Sequence, residues 1–594
     1  MASPEWIDIK PAVLSGDPIH HRDDGKKPGF ASMTMGFQVP LDHRKPLVKT
    51  DILTLHATLV YAEDSISAGT SHANNNRGSH HLAAQLDDWF SEWVHTHWRR
   101  ILRRRPFLVY LCGGPGDGND HRRIPELNRF ALELGYQILY VDYRGTGRSR
   151  PFVDGAHLAG VAPSTADRAA YLSLFRQDNI VRDFEAIRLC LTELVAGDND
   201  GNNPPSSSLK KVKWTLLGQS FGGWVALTYL SFLPTSLAAV YLTAGLAPVG
   251  KSPRDVYARL YRRVAERNEA YYAAYPEDQD RIRTIASHLR AHPTRYTFRA
   301  DGYKAARQRL TAQTFMTLGR SFGSASENAT FQRLHSLVER MVGDIGGGGS
   351  IGSGGGNDGE LSEETVDEYA AMQGSSSSSS RGRNNSKSGG GGVGKKGGSG
   401  FRLHERPLYG VLHEAIYCHS PTVASGWAAQ TIGRTYGNGE FAWLGDGDDN
   451  DDNDNGHDVQ QQQKQQQGRD GTRSSSSSSG RLFFSGEMVF PFMLASAGAP
   501  LRAFAEAANA LAAKTDWPRL YDEEQLARNK APVRAVAYPH DMYVDFDLSI
   551  ETGAKIRNCV VLEGKKEWEH GAIKDGDKSA EVLRMLFGSE TVGS

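Results

Sequence analysis

Between residues 51 and 61 apolar side chains alternate with polar ones, Leu53, Leu55, Ala57, Leu59 and Tyr61 against Thr54, His56 and Thr58. A period of two marks a strand with one buried face. From Phe107 the pattern changes to short unbroken apolar runs that end in glycine or aspartate: FLVYL before Gly113, YQILYV before Asp142, WTLL before Gly218 and AAVYL before Gly245. Runs of this kind, separated by helical spacing such as that of residues 180–194, predict strands of a largely parallel sheet buried on both faces. VRAVAY (533–538) and CVVL (559–562) repeat the strand pattern, and residues 578–587 read as a closing helix. The chain is therefore expected to be α/β, with a mostly parallel central sheet flanked by helices and contributed by two separated parts, 1–250 and 531–594.

Residues 251–530 carry helical spacing, clearest at 255–275 and 500–514, and few strand signals. They predict a helical cap inserted into the sheet domain. Two tracts interrupt it, a Gly/Ser stretch at 346–400 and an Asp/Asn, Gln and Ser stretch at 445–480. Their composition buries too little apolar area to offset the entropy of ordering, so both are read as disordered loops, and the first as dispensable.

Composition removes several function classes. With 68 basic against 69 acidic residues, the formal net charge of −1 supplies no field that would draw nucleic acid or an anionic membrane. The basic run Arg99, Arg100, Arg103, Arg104 and Arg105 is read as a solvated helix face or loop. Four scattered cysteines, Cys112, Cys190, Cys418 and Cys559, form neither a disulfide framework nor a zinc pattern. The first residues lack the basic start and apolar run of a signal peptide, and no apolar stretch reaches the length of a membrane span. A soluble cytoplasmic protein without a cofactor is expected. Three metal-like or phosphate-like patterns are incomplete: Asp451, Asn453, Asn455 and Gly456 lead to Gln462 where a calcium loop needs glutamate, residues 389–395 are followed by Lys396 rather than Ser or Thr, and His95 and His97 have no third ligand. No metal site is expected.

The segment WTLLGQSFGGWVALTYL places Gly218, Gln219, Ser220, Phe221 and Gly222 as GxSxG between an apolar strand and an apolar helix. A serine on such a strand-to-helix turn projects its hydroxyl above the sheet, beside a helix N-terminus that favours developing negative charge. An oxyanion would take one donor from the N–H of Phe221 and another from the loop Cys112, Gly113, Gly114, Pro115 and Gly116 directly after the strand FLVYL, where glycines let backbone N–H groups face a substrate. The acid and then the histidine of a triad should follow the serine in the chain. Of 20 histidines, His570 lies after the strand CVVL, and Asp541 lies after VRAVAY, with Asp545 and Asp547 as rivals.

The blocks FQVPLDH, GGPG, DYRGTGRS, DNIVRDFEAIR, GQSFGG, LHEAIYC, GEMVFP, HDMYVDF and EWEHG, in this order, resemble the proline iminopeptidases, serine peptidases of the α/β hydrolase fold. The resemblance covers most of the chain outside the low-complexity tracts. It implies Ser220 as nucleophile, Asp541 as orienting acid and His570 as general base. It also implies that Glu414 and Glu487 bind the free imino terminus of a peptide beginning with proline, which is released through an acyl-enzyme. Two features depart from it. Cys112 stands where the loop commonly has histidine, and the low-complexity insertions are long. A serine esterase or amidase of the same fold, and a catalytically inactive binding protein, are the competing readings.

Overall fold

The computed structural model describes residue 6 and residues 8–22, 30–45, 51–62, 98–149, 155–196, 212–298, 306–323, 327–346, 360–373, 406–445, 480–495 and 499–588. The metal-like and phosphate-like patterns at 451–462, 389–396 and 95–97 lie outside these residues, as do 446–479 of the second low-complexity tract.

The main sheet contains the strands β1 (Val13–Leu14), β2 (Ile19–Arg22), β3 (Phe30–Pro40), β4 (Ile52–Ala62), β5 (Phe107–Leu111), β6 (Gln137–Val141), β7 (Trp214–Gln219) and β8 (Leu237–Thr243). A separate hairpin, β9 (Thr294–Phe298) with β10 (Ala306–Leu310), interrupts the series before β11 (Val533–Ala537) and β12 (Cys559–Glu563) complete the main sheet. Its order is β1-β3-β4-β6-β5-β7-β8-β11-β12, with β2 paired to β3. Pairing from β1 to β6 through β3 and β4 is antiparallel, and every pair from β6 to β12 across β5, β7, β8 and β11 is parallel. This is the α/β hydrolase fold, a mixed sheet whose parallel part aims the C-terminal ends of β5, β7, β11 and β12 toward one rim.

Burial explains the two sequence patterns. β5, β6 and β7 are buried at every position because helices cover both faces, and they read as unbroken apolar runs. β4 alternates half-buried with buried positions only from Ile52 to His56, and from Ala57 to Ala62 every residue is buried, Thr58 among them. β12 is the edge strand, where Val560 is 53% exposed, so its apolar run is less enclosed than its composition implies.

The helix predicted at 255–275 is Pro253–Ala274, started by Ser252, whose hydroxyl accepts from the Asp255 N–H while the Asp255 carboxylate accepts from the Ser252 N–H. The one at 500–514 is Ala499–Ala513, and the closing helix is Gly576–Phe587. Two expectations for this region need correction. The β9/β10 hairpin is a strand pair that the helical spacing concealed. Residues 346–400 are not wholly a loop: Glu363–Gln373 is a helix whose Val366, Tyr369 and Met372 are buried. Three apolar residues at helical spacing were enough, although the surrounding Gly and Ser dominate the composition.

The segments between β8 and β11 have their own aromatic core, in which Tyr271 packs against Phe322, Phe331 and Phe484. They are tied to the sheet domain by Arg176, which donates to the carbonyls of Cys418 (2.6 Å) and Pro518 (3.0 Å) and lies 4.5 Å over the ring of Trp517. Among the described residues no helix is long and apolar enough to cross a membrane.

Candidate active site

Ser220 ends β7 and starts the helix Phe221–Phe232, with φ of 55° and ψ of −126°. A non-glycine residue pays for this conformation, and the surroundings enforce it. The Ser220 N–H donates to the Thr243 carbonyl at 3.1 Å, and its carbonyl accepts from the Gly223 N–H at 2.7 Å. A side chain on Gly222 would come within 2.0 Å of the Leu111 carbonyl oxygen, and one on Gly223 within 1.8 Å of that of Gly245. The glycines of GQSFGG are there because strands β5 and β8 flank the turn at backbone-to-backbone distance.

The loop after β5 lies against this turn. A Cβ on Gly113 would sit 3.3 Å from that of Ser220 and 3.1 Å from the Gln219 side-chain oxygen. Gly114 and Gly116 have φ of 144° and 91°, and the Gly114–Pro115 peptide is cis. Phe221 is buried beside the same loop. At the departure from the family pattern, Tyr143 donates its hydroxyl to the Cys112 carbonyl (3.0 Å), and the Cys112 thiol donates to the Asp117 carbonyl (3.6 Å). Burial pushes that thiol up to about 12, so it stays protonated and serves as a weak donor within the loop. Asp117 forms an ion pair with Arg406, which precedes the helix Pro407–Leu412.

The turn after β11 holds Asp541, 1% exposed. One carboxylate oxygen accepts from the N–H groups of Tyr543 (2.8 Å) and Val544 (3.1 Å), and the other accepts from His570 Nδ1 at 2.7 Å. The rivals are placed elsewhere. Asp545 caps the helix Phe546–Lys555 through the Leu548 N–H and pairs with Arg263, while Asp547 is paired with Arg262 and Arg263 at the surface. Burial pulls the His570 imidazolium down, but the charge and hydrogen bond of Asp541 and the charge of Glu487 outweigh it, so its pKa lies above the ordinary histidine value.

Glu487 acts on His570 through its charge and not through a hydrogen bond. Its carboxylate accepts from the Tyr409 hydroxyl at 2.8 Å, and its carbonyl meets His413 Nε2 at 3.2 Å. Glu414 is buried more deeply. Its two oxygens accept from the N–H groups of Ala428 (3.0 Å) and Ala429 (2.9 Å), at the start of the helix Ala428–Gly433, and burial pushes its pKa up to about 7. The two glutamates expected to act alike therefore occupy different settings, one held by the Tyr409 hydroxyl and one holding a helix end.

Sequence reasoning passed over Tyr543, whose ring lies 4.9 Å from that of His570, Tyr409, which holds Glu487, and Arg406, which pairs with Asp117. Tyr543 sits inside HDMYVDF, two residues after the acid, so its block was visible; nothing in spacing shows that its ring turns back on the histidine. Among the described residues one cluster has ligand-like spacing, Glu277, Asp278 and His335. Its central carboxylate, Asp278, is already taken by the Tyr271 hydroxyl, His335 Nδ1 (3.0 Å) and the Arg281 guanidinium (3.1 Å). A resident cation, Arg281, does there what a metal would do.

The chain is similar in sequence to proline iminopeptidases over most of its length. The proline iminopeptidase of Aeromonas sobria is 32% identical over 579 residues, which is 96% of this chain and 98% of that protein. The chain belongs to the proline iminopeptidase family. The proline iminopeptidase aneH of Aspergillus aculeatus is 28% identical over 486 residues, 81% of this chain and 84% of that protein. No family model matches the chain. Among solved structures, the proline iminopeptidase of Mycobacterium smegmatis is similar over 80% of this chain and 87% of that one, at 12% identity and a TM-score of 0.29. As a proline iminopeptidase family member with this sheet, the protein is a hydrolase of the α/β fold, and the rim carrying Ser220, Asp541 and His570 is its candidate active site.

Proposed function

We propose that the protein is a serine aminopeptidase that releases proline from peptides with a free N-terminal proline. The single observation that carries this reading is that the charge of Glu487, held by the Tyr409 hydroxyl, reaches the Asp541-bound His570, because a base and a counter-charge for a cationic imino group then belong to one electrostatic environment. Relatives named proline iminopeptidase support it.

Asp541 holds His570 with its Nδ1–H pointed at the carboxylate, which leaves Nε2 as the acceptor. Nε2 takes the proton of Ser220 as the hydroxyl attacks the prolyl carbonyl. The N–H of Phe221 and those of the Gly113 and Gly114 loop receive the oxyanion, and loss of one such donor costs about 10² to 10³ in rate. The imidazolium returns the proton to the leaving amine, and water then releases proline from the acyl-enzyme. The protonated imino nitrogen pairs with Glu487, where partial exclusion of water strengthens the attraction. A residue upstream of the proline removes that charge and fills the same space. Glu414 has both oxygens engaged by backbone N–H groups, so the pairing is assigned to Glu487, and Glu414 holds the helix start at Ala428 and Ala429.

Hydrolysis of L-prolyl arylamide, N-acetyl-L-prolyl arylamide and a simple aryl ester tests the reading. The free prolyl substrate should be cleaved and the acetylated one at least about 100-fold more slowly, the scale of an unpaired charged partner. Cleavage of the ester alone would make the protein an esterase on the same scaffold.

A further inference from the structure

Tyr543, whose ring borders His570, is itself held from the side of the insertion. Its hydroxyl donates to the Arg320 carbonyl in the turn Thr317–Gly323. At the end of that turn, a Cβ on Gly323 would come within 2.8 Å of Tyr543 Cε1 and 2.5 Å of Met542 Cγ, so turn backbone and tyrosine are in direct contact. The same turn is held on its other side by Gln373. Its side-chain NH2 lies within donor distance of the Thr314 carbonyl (3.0 Å), the Thr317 hydroxyl (3.2 Å) and the Tyr369 hydroxyl (2.9 Å), and its backbone carbonyl accepts from the Arg320 guanidinium (3.5 Å). Gln373 is the last residue of the helix Glu363–Gln373, which is anchored by buried Tyr369 and Met372; the ion pair of Glu368 with Arg333 at 3.0 Å lies on its partly exposed side. An unbroken series of contacts therefore runs from a helix inside the Gly/Ser-rich tract to the imidazole of the active site.

We propose that the helix Glu363–Gln373 is a positioning element for the base: through Gln373 and the turn Thr317–Gly323 it fixes Tyr543, and through Tyr543 the plane of the His570 ring. The proposal rests on His570 acting as general base in the reading above. Gln373 and Tyr543 touch no reacting atom; they act through the ring that does. A small misplacement of a catalytic group costs far more in turnover than in binding, so the effect belongs in kcat.

The test uses the full-length protein, with active sites counted by a fluorophosphonate probe and kcat and KM measured per labelled site. Gln373→Ala removes the amide donors, Tyr543→Phe keeps the ring but frees it from Arg320, and Glu368→Gln breaks only the helix's surface ion pair. The first two should lower kcat per labelled site about 10-fold while KM stays within about twofold, and Glu368→Gln should match the wild type. A Gln373→Ala protein with wild-type kcat per labelled site, whatever its Tm, would overturn the proposal, since a purely structural helix changes the number of folded sites and not the turnover of each. The aryl ester is assayed in parallel. If the wild type cleaves the ester and no prolyl arylamide, the substrate assignment fails, and the ester kcat of the same variants still decides the role of the helix.

Discussion

Asp541 is fully engaged by its own turn and by His570, and this separates it from its neighbours Asp545 and Asp547. The sequence left the three open because each follows β11 closely. The choice is made by a backbone turn that aims the Tyr543 and Val544 N–H groups at one carboxylate, and by Arg263, Arg262 and the N–H of Leu548 engaging the others. Asp541→Asn should leave the fold intact and lower kcat by about 10⁴, because the amide favours the wrong imidazole tautomer. The acid side of the rate profile has a defined sign. His570 must be neutral to act, and its pKa is raised, so activity should fall on acidification at a pH above the ordinary histidine value. Glu487 is one cause of that raise, so Glu487→Gln should move the acid limb to lower pH, as well as raising KM for the free prolyl substrate. A limb that stays in place or moves upward would show that Glu487 does not act on the base.

At the level of elements, strands and long helices were legible because burial writes its period into the chain, two over the first half of β4 and unbroken for β5, β6 and β7. The nucleophile turn was legible too, since only glycine tolerates the approach of Gly222 and Gly223 to neighbouring backbone. Gly222→Ala should therefore abolish soluble, probe-reactive protein, as thermal melting and fluorophosphonate labelling would show. What escaped were elements whose meaning is a contact rather than a period: the β9/β10 hairpin, the helix Glu363–Gln373 within a Gly/Ser tract, and the Arg406–Asp117 pair joining the loop after β5 to the helix Pro407–Leu412. Gly116 packs against the same helix, where a Cβ would lie 3.0 Å from the Tyr409 nitrogen. Arg406→Gln should thus lower kcat for both the prolyl arylamide and the aryl ester, because the loop that would hold the oxyanion serves both; a loss confined to the prolyl substrate would assign Arg406 to amine recognition instead.

Across the whole molecule, the chain leaves the sheet after β8 and rejoins it at β11, so Ser220 precedes the insertion, Asp541 and His570 follow it, and Glu487 belongs to it. The parallel sheet supplies the common rim, and the insertion supplies the charge that would select a free imino terminus. Deleting all of 346–400 removes the helix Glu363–Gln373 with the tract, so on the proposal above the deletion should lower turnover; unchanged turnover would bear out the expectation that the tract is dispensable. The most direct measurement of the central claim is peptide mapping after reaction with a fluorophosphonate, paired with residual hydrolysis of L-prolyl arylamide. A single adduct on Ser220 whose extent matches the loss of prolyl release is the predicted result. Full prolyl release by protein labelled at Ser220, or an adduct on another serine that tracks the loss, would contradict it.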